Sequence, residues 1–155
     1  MSDVDILVMK GPVVIAVEVK SNHDNLYRAS HQLSRILDYV DYGLVATDQD
    51  VKDWNNDAIG LMLVKADGIV FAGKGTRFSA RPSFQSLFAL QKKCLSRMLG
   101  VEGPSYLSKY EIAKQVDSLG DDDVLRDCVK EIVTCSGQCS SNCPIWKFTR
   151  GNEEP

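Results

Sequence analysis

The segment that most constrains the fold of this chain is residues 4–20, where two apolar runs flank a Gly-Pro pair. Both runs have the composition of β-strands, and Gly11-Pro12 suits the two-residue turn of a hairpin, because Gly accepts a positive φ and Pro a negative one. Side chains of a strand alternate between two faces. Glu18 and Lys20 therefore share one face of the second strand, where a buried strand would carry apolar side chains.

The hairpin also brings acidic residues of its first strand next to these charges. With a two-residue turn, Asp5 lies across from Glu18 and Asp3 across from Lys20. Two carboxylates on one face repel each other, and a divalent metal ion between them relieves the repulsion. Asp3 replaces Asp5 as a ligand if the register slips. The alternative is the solvated face of an edge hairpin that binds no metal.

The residues that follow predict an α/β arrangement. Apolar residues recur at helical spacing over residues 25–41, Gly43 suits a helix C-cap, and residues 44–47 form a short apolar run typical of a buried strand. Residues 59–64 and 69–72 predict a second hairpin. The helix is long enough to return the chain parallel to a neighbouring strand.

The rest of the chain has a different character, and the boundary lies near residue 80. Helical periodicity covers residues 83–99, and two shorter helices are predicted at 107–119 and 121–134. We therefore predict two domains, a sheet-containing core over residues 1–80 and a helical C-terminal region with a cysteine-containing tail over residues 81–155.

The first domain resembles the PD-(D/E)xK nuclease superfamily, in the part shared by archaeal Holliday-junction resolvases and RecB-like nucleases. The residues that carry the resemblance are Asp5, twelve intervening residues, Glu18-Val19-Lys20 and a helix containing Gln32. The resemblance implies a restriction-endonuclease-like mixed β-sheet core with flanking helices. Two features depart from the family: Val4 stands at the position of its proline, and the sequence shows no acidic helix before the first strand.

The resemblance also implies a site and a cofactor. Asp5, Glu18 and the carbonyl of Val19 would hold Mg²⁺ or Mn²⁺, Lys20 would position water or stabilise charge on the phosphate, and Gln32 would orient the water or a ligand. Asp5, Glu18, Lys20 and Gln32 are thus the expected catalytic residues of a phosphodiester hydrolase.

Basic residues suggest where nucleic acid would bind. Residues 71–114 contain 8 Lys and Arg against 2 acidic residues, a net charge of +6, although the whole chain has a net charge of −3. Ordinary solvated helix charges are the alternative. The residues expected to contact DNA are Arg28, Arg35, Lys74, Arg77, Lys92 and Lys93.

The cysteines offer a second metal site. Cys128, Cys135, Cys139 and Cys143 supply four thiols near the end of the sequence, enough for zinc or an iron–sulfur cluster. Their spacing is not the usual zinc knuckle, and thiols without a metal are the alternative. The sequence shows no signal peptide and no membrane-length apolar run, so we expect a cytoplasmic protein without membrane contact.

Three functions are compatible with these patterns. The first is a Mg²⁺-dependent DNA nuclease that hydrolyses phosphodiester bonds in DNA repair or recombination, with a homodimer as a further expectation. The second is a nucleic-acid-binding module of the same fold with little or no turnover. The third is an assembly protein whose C-terminal helices bind a partner.

Overall fold

The structure is a computed structural model that describes residues 4–100, 106–118 and 121–134. The chain divides into two compact units, Met1–Ser79 and Ala80–Pro155. Within the described residues, no helix is long and apolar enough to cross a membrane.

The first unit is built on a five-stranded mixed sheet in which strand order follows chain order. The two outer pairs are antiparallel, and the three central strands are parallel to one another. This arrangement confirms the predicted α/β class with a mixed sheet and flanking helices. The strands are β1 (Ile6–Lys10), β2 (Val13–Lys20), β3 (Tyr42–Thr47), β4 (Ile59–Lys65) and β5 (Gly68–Gly73).

The first hairpin has the predicted register. Ile6 pairs with Val17 and Lys10 with Val13, so only Gly11 and Pro12 remain for the turn. Gly11 adopts a φ of 58°, a backbone conformation that residues with a side chain rarely adopt. One expectation was wrong in detail: β1 begins at Ile6, and Asp5 precedes the strand instead of lying in it.

One helix covers one face of the sheet. Helix α1 (Leu26–Ser34) is capped by the Asn25 side chain, which accepts hydrogen bonds from the backbone amides of Tyr27 and Arg28 at 2.9 and 3.2 Å. The helix is shorter than predicted, because a separate 3-10 turn at Leu37–Tyr39 follows it. Sequence periodicity continues through both elements and does not reveal the break.

Gly43 is not a helix C-cap, contrary to the prediction, but lies inside β3 opposite Ala16. A Cβ atom there would stand 2.8 Å from Ile59 Cδ1, and 3.4 Å from both Leu33 Cβ of α1 and Leu37 Cδ2. The missing side chain therefore allows α1 to pack closely against the sheet.

The face that carries Glu18 is the buried one. Gly43 of β3 faces Leu33 of α1, and its strand partner Ala16 shares that face with Glu18, which is only 4% exposed. The alternative of a solvated charged face is therefore wrong for Glu18. The opposite face exposes some of its apolar side chains, among them Ile6, Val19 and Phe71.

Every described element of the second unit is a helix. The predicted helix over residues 83–99 is two helices, because Leu90 and Gln91 are extended, with ψ of 156° and 142°. This break lets both short helices turn apolar side chains toward the helix that follows them in the chain. The helices are α2 (Phe84–Ala89), α3 (Lys92–Met98), α4 (Lys109–Asp117) and α5 (Asp122–Thr134).

The close packing at Gly43 generates a stability prediction. We expect Gly43→Val to lower the free energy of unfolding by about 1–3 kcal/mol or more, because its side chain would overpack a core formed by fully buried Ile59 and Leu33. Urea denaturation measures the change. The control is Ala72→Val at an exposed position of β5, expected to stay within about 0.5 kcal/mol of wild type. Equal stability of the two variants would contradict the packing account.

Candidate functional site

The candidate site lies at the carboxyl end of the central parallel strands. Lys20 is the last residue of β2 and pairs with Thr47, the last residue of β3. In open α/β sheets, ligands bind in the crevice outside the carboxyl ends of such strands. The fold therefore places Glu18 and Lys20 near the carboxyl ends of the parallel strands, where ligand-binding sites of such sheets lie.

The backbone of β2 links Asp5 to these residues. Asp5 Oδ2 accepts a hydrogen bond of 2.8 Å from the backbone amide of Val19, the residue between Glu18 and Lys20. Asp5 is solvent-exposed, so its carboxylate retains a second oxygen for another ligand. Because the hairpin is antiparallel, the residue before β1 reaches the far end of β2. This hydrogen bond fixes Asp5 beside the backbone that joins Glu18 to Lys20.

Glu18 and Lys20 form a close ion pair. Lys20 Nζ donates to Glu18 Oε1 at 2.6 Å, and 5% of the Glu18 side chain and 18% of the Lys20 side chain are exposed. The second oxygen, Glu18 Oε2, is buried and accepts no hydrogen bond. Burial of a carboxylate oxygen without a hydrogen-bond donor destabilises the folded protein by on the order of 1–3 kcal/mol or more.

Gln32 has the same unusual property. This residue lies on α1, which packs against β2 and β3, and its Oε1 atom is also buried without a hydrogen-bond donor. Among the buried side-chain oxygens and nitrogens of the described residues, only Glu18 Oε2 and Gln32 Oε1 lack a partner. Both are acceptors, and both belong to residues that the resemblance assigned to the site. A cation or a hydrogen-bond donor would satisfy them.

These oxygens determine which metal ions the site suits. Carboxylate, amide and backbone carbonyl oxygens are ligands for hard ions such as Mg²⁺ and Mn²⁺. Asp5, Glu18, Val19 and Gln32 offer this chemistry and no thiol or imidazole. The described residues contain no group of three His, Cys, Asp or Glu side chains placed to hold a metal. A bound ion would therefore depend on amide, carbonyl and water oxygens besides the two carboxylates.

A hydrogen-bonded brace holds the loop after β2. Gln49 Nε2 donates to the carbonyl oxygens of Ser21 and Asp24 at 2.6 and 2.9 Å. The Asp24 carboxylate accepts hydrogen bonds from the backbone amide and hydroxyl of Ser21, and these bonds lower the pKa of Asp24. Gln49 therefore fixes the chain that leaves Lys20. Sequence patterns gave no signal for this role, because the partners are more than 20 residues apart.

The basic residues predicted to contact nucleic acid occupy different environments. Arg28 lies on α1 and Arg35 caps its end; both are exposed, as is Lys74 after β5. Arg77 instead pairs with the buried carboxylate of Asp41, its Nε and Nη2 donating to Oδ1 at 3.2 and 3.1 Å. Arg77 thus has a structural role that competes with phosphate binding.

The remaining predicted residues belong to the second unit. Lys92 and Lys93 begin α3 and are exposed. Cys128 is buried in α5, whereas Cys135, Cys139 and Cys143 lie outside the described residues. The structure therefore places one of the four cysteines and leaves the predicted zinc or iron–sulfur site as a prediction.

Comparison with protein-family models, with curated proteins and with solved structures finds no match to this chain. The site is therefore interpreted from its own geometry. The features that count are a buried Glu-Lys pair at the end of a parallel strand, an acidic residue bonded to the same strand, and two buried oxygens without donors.

The structural role of Arg77 can be tested by mutation. We expect Arg77→Ala to lower the free energy of unfolding by about 1–3 kcal/mol, because Asp41 Oδ1 would lose its guanidinium donors inside the protein. Lys74→Ala removes an equal charge from an exposed position nearby and should change stability by less than about 0.5 kcal/mol. Equal denaturation midpoints for the two variants would show that Arg77 has no structural role.

The two oxygens without donors predict a response to metal ions. If Mg²⁺ binds the native protein, its stabilisation reaches about 2.7 kcal/mol at a hundredfold excess over Kd. We expect Mg²⁺ to raise the wild-type Tm by several degrees and to leave the Tm of Glu18→Gln unchanged. Asp67→Asn, which removes the same charge from an exposed turn, should respond like wild type. A Glu18→Gln response equal to that of wild type would exclude Glu18 as a ligand.

Proposed function

We propose that this chain is a Mg²⁺-dependent DNA nuclease with a restriction-endonuclease-like core. The observation that carries the proposal is the buried Glu18 carboxylate, which bonds Lys20 through one oxygen and has no partner on the other. A buried acceptor without a donor from the protein needs a water molecule, an ion or another ligand to satisfy it, and the proposal assigns that role to a metal ion.

The strand arrangement supports the finer fold assignment. The acidic residue precedes β1, Glu18 and Lys20 lie in the antiparallel partner β2, and α1 leads to β3, which runs parallel to β2. This is the order of elements that the resemblance to PD-(D/E)xK nucleases implies. DNA repair or recombination is the process in which we place the activity.

The protein residues have distinct roles in the proposed reaction. Asp5, Glu18, the Val19 carbonyl and Gln32 would hold Mg²⁺, which supplies charge stabilisation to the phosphate and activates water when bound. Lys20, held in place by its contact with Glu18, would stabilise the negative charge that develops on the phosphate.

A second candidate function is nucleic-acid binding without turnover. One observation favours it: the described residues bring together no third acidic, His or Cys ligand beside Asp5 and Glu18. With fewer charged ligands the ion binds more weakly, and the same surfaces then serve DNA binding alone. The two functions differ in product formation, which makes them separable by experiment.

A cleavage assay tests the nuclease proposal. We expect purified protein with Mg²⁺ or Mn²⁺ to cut at least one of labelled duplex, single-stranded or branched DNA, and EDTA to stop the reaction. Lys20→Met should lower kcat by about 10²–10³-fold, because it removes a charge aimed at the transition state. Lys10→Met, an exposed lysine of β1, should cut at the wild-type rate.

The possible outcomes separate the candidates. Binding of DNA without cleavage under any metal condition would support the non-catalytic module. Cleavage by Lys20→Met at the wild-type rate would show that the activity comes from elsewhere in the protein or from a contaminant. Both variants are purified alongside wild type, so a contaminating nuclease would appear in all three samples.

A further inference from the structure

Three aromatic rings meet on the surface of the second unit. Phe84 and Phe88 of α2 stack with their centroids 6.1 Å apart, and Tyr110 of α4 meets them edge-on at 5.6 and 6.4 Å. These contacts join α2 to α4. We call the surface formed by Phe84, Phe88, Lys109 and Tyr110 the α2–α4 aromatic face.

Exposure distinguishes this cluster from a core. Phe88 is 41% exposed and Tyr110 is 55% exposed, although neighbouring Leu87 and Ile112 of the same helices are almost fully buried. Leu87 and Ile112 are therefore interior residues of these helices, whereas Phe88 and Tyr110 lie at the surface. The rings retain open surface that the fold does not use.

Positive charge surrounds the rings. Lys109 Nζ lies 4.8 Å from the centroid of the Phe88 ring, and Lys114 follows Tyr110 by one helical turn and is exposed. Hydrogen bonds from Ser108 are the main cause of the lowered pKa of Glu111. The positive charge of Lys92, which lies near Glu111, lowers this pKa further.

We propose that the α2–α4 aromatic face binds single-stranded nucleic acid, with bases stacked on Phe88 and Tyr110 and phosphates paired with Lys109 and Lys114. Lys109, which lies over the Phe88 ring in the free protein, would leave the ring to a base and pair with a phosphate. Open aromatic rings beside lysines bind single strands through stacking and charge together. Duplex DNA matches only the charge, because its bases are already stacked. An acidic peptide likewise matches the charge but leaves the rings unused.

This inference rests on the proposed function for the choice of nucleic acid as ligand, and its test is independent of turnover. The probe is a labelled oligothymidylate in EDTA, with affinity measured by fluorescence anisotropy. We expect Phe88→Ala and Tyr110→Ala each to weaken binding by roughly 5- to 150-fold, the range expected for loss of one stacked base. Lys109→Gln should weaken binding and reduce its dependence on salt.

Matched variants control for loss of a ring and for misfolding. Phe71→Ala removes a phenylalanine that is 60% exposed on β5, where residues 68–73 contain no charge, and it should bind like wild type. Phe88→Trp keeps an aromatic face and should retain affinity, whereas Phe88→Leu keeps apolar volume and should not. The two substitutions at Phe88 separate stacking from packing.

Three results would overturn the inference. They are unchanged affinity in Phe88→Ala and Tyr110→Ala, equal binding of an abasic oligomer of the same length, and displacement of the oligonucleotide by an acidic peptide at matched charge. Cleavage of DNA by a protein whose aromatic face fails these tests would leave the proposed function intact. Normal oligonucleotide binding with no cleavage would refute the proposed nuclease function and leave the proposed role of the α2–α4 aromatic face intact.

Discussion

The candidate site depends on the burial of one carboxylate beneath a helix. Glu18 lies on the face of β2 that α1 covers, and α1 approaches that face closely because Gly43 of β3 has no side chain. Burial makes the Glu18–Lys20 ion pair strong, and it also makes the partnerless oxygen of Glu18 costly. Local cost of this kind is expected where a protein trades stability for function.

Much of the first unit was predictable from local rules. Alternation of apolar residues and the Gly11-Pro12 turn gave the register of the hairpin, because a two-residue turn leaves little choice of pairing. Helical spacing located α1 but overran its end, since the apolar pattern continues through the 3-10 turn. Gly43 was assigned to a cap because sequence cannot show that the helix packs above it.

Several features that the sequence did not predict depend on distant residues. Asp41 and Arg77 are 36 positions apart, and Gln49 reaches Ser21 across 28. The aromatic face joins α2 to α4, which helical periodicity assigned to separate helices. Periodicity reports which side of an element is apolar but not which elements meet. The charge of residues 71–114 indicated a basic region, whereas the exposed rings within it required the structure.

The central claim is that the buried oxygens of Glu18 and Gln32 exist to meet a cation. The most direct test is anomalous diffraction from crystals of the protein soaked in Mn²⁺. The account predicts an anomalous peak at coordination distance from Glu18 Oε2, with Asp5 or Gln32 as a second ligand. An ordered water bridging Glu18 Oε2 and Gln32 Oε1, with no anomalous peak at saturating Mn²⁺, would contradict it.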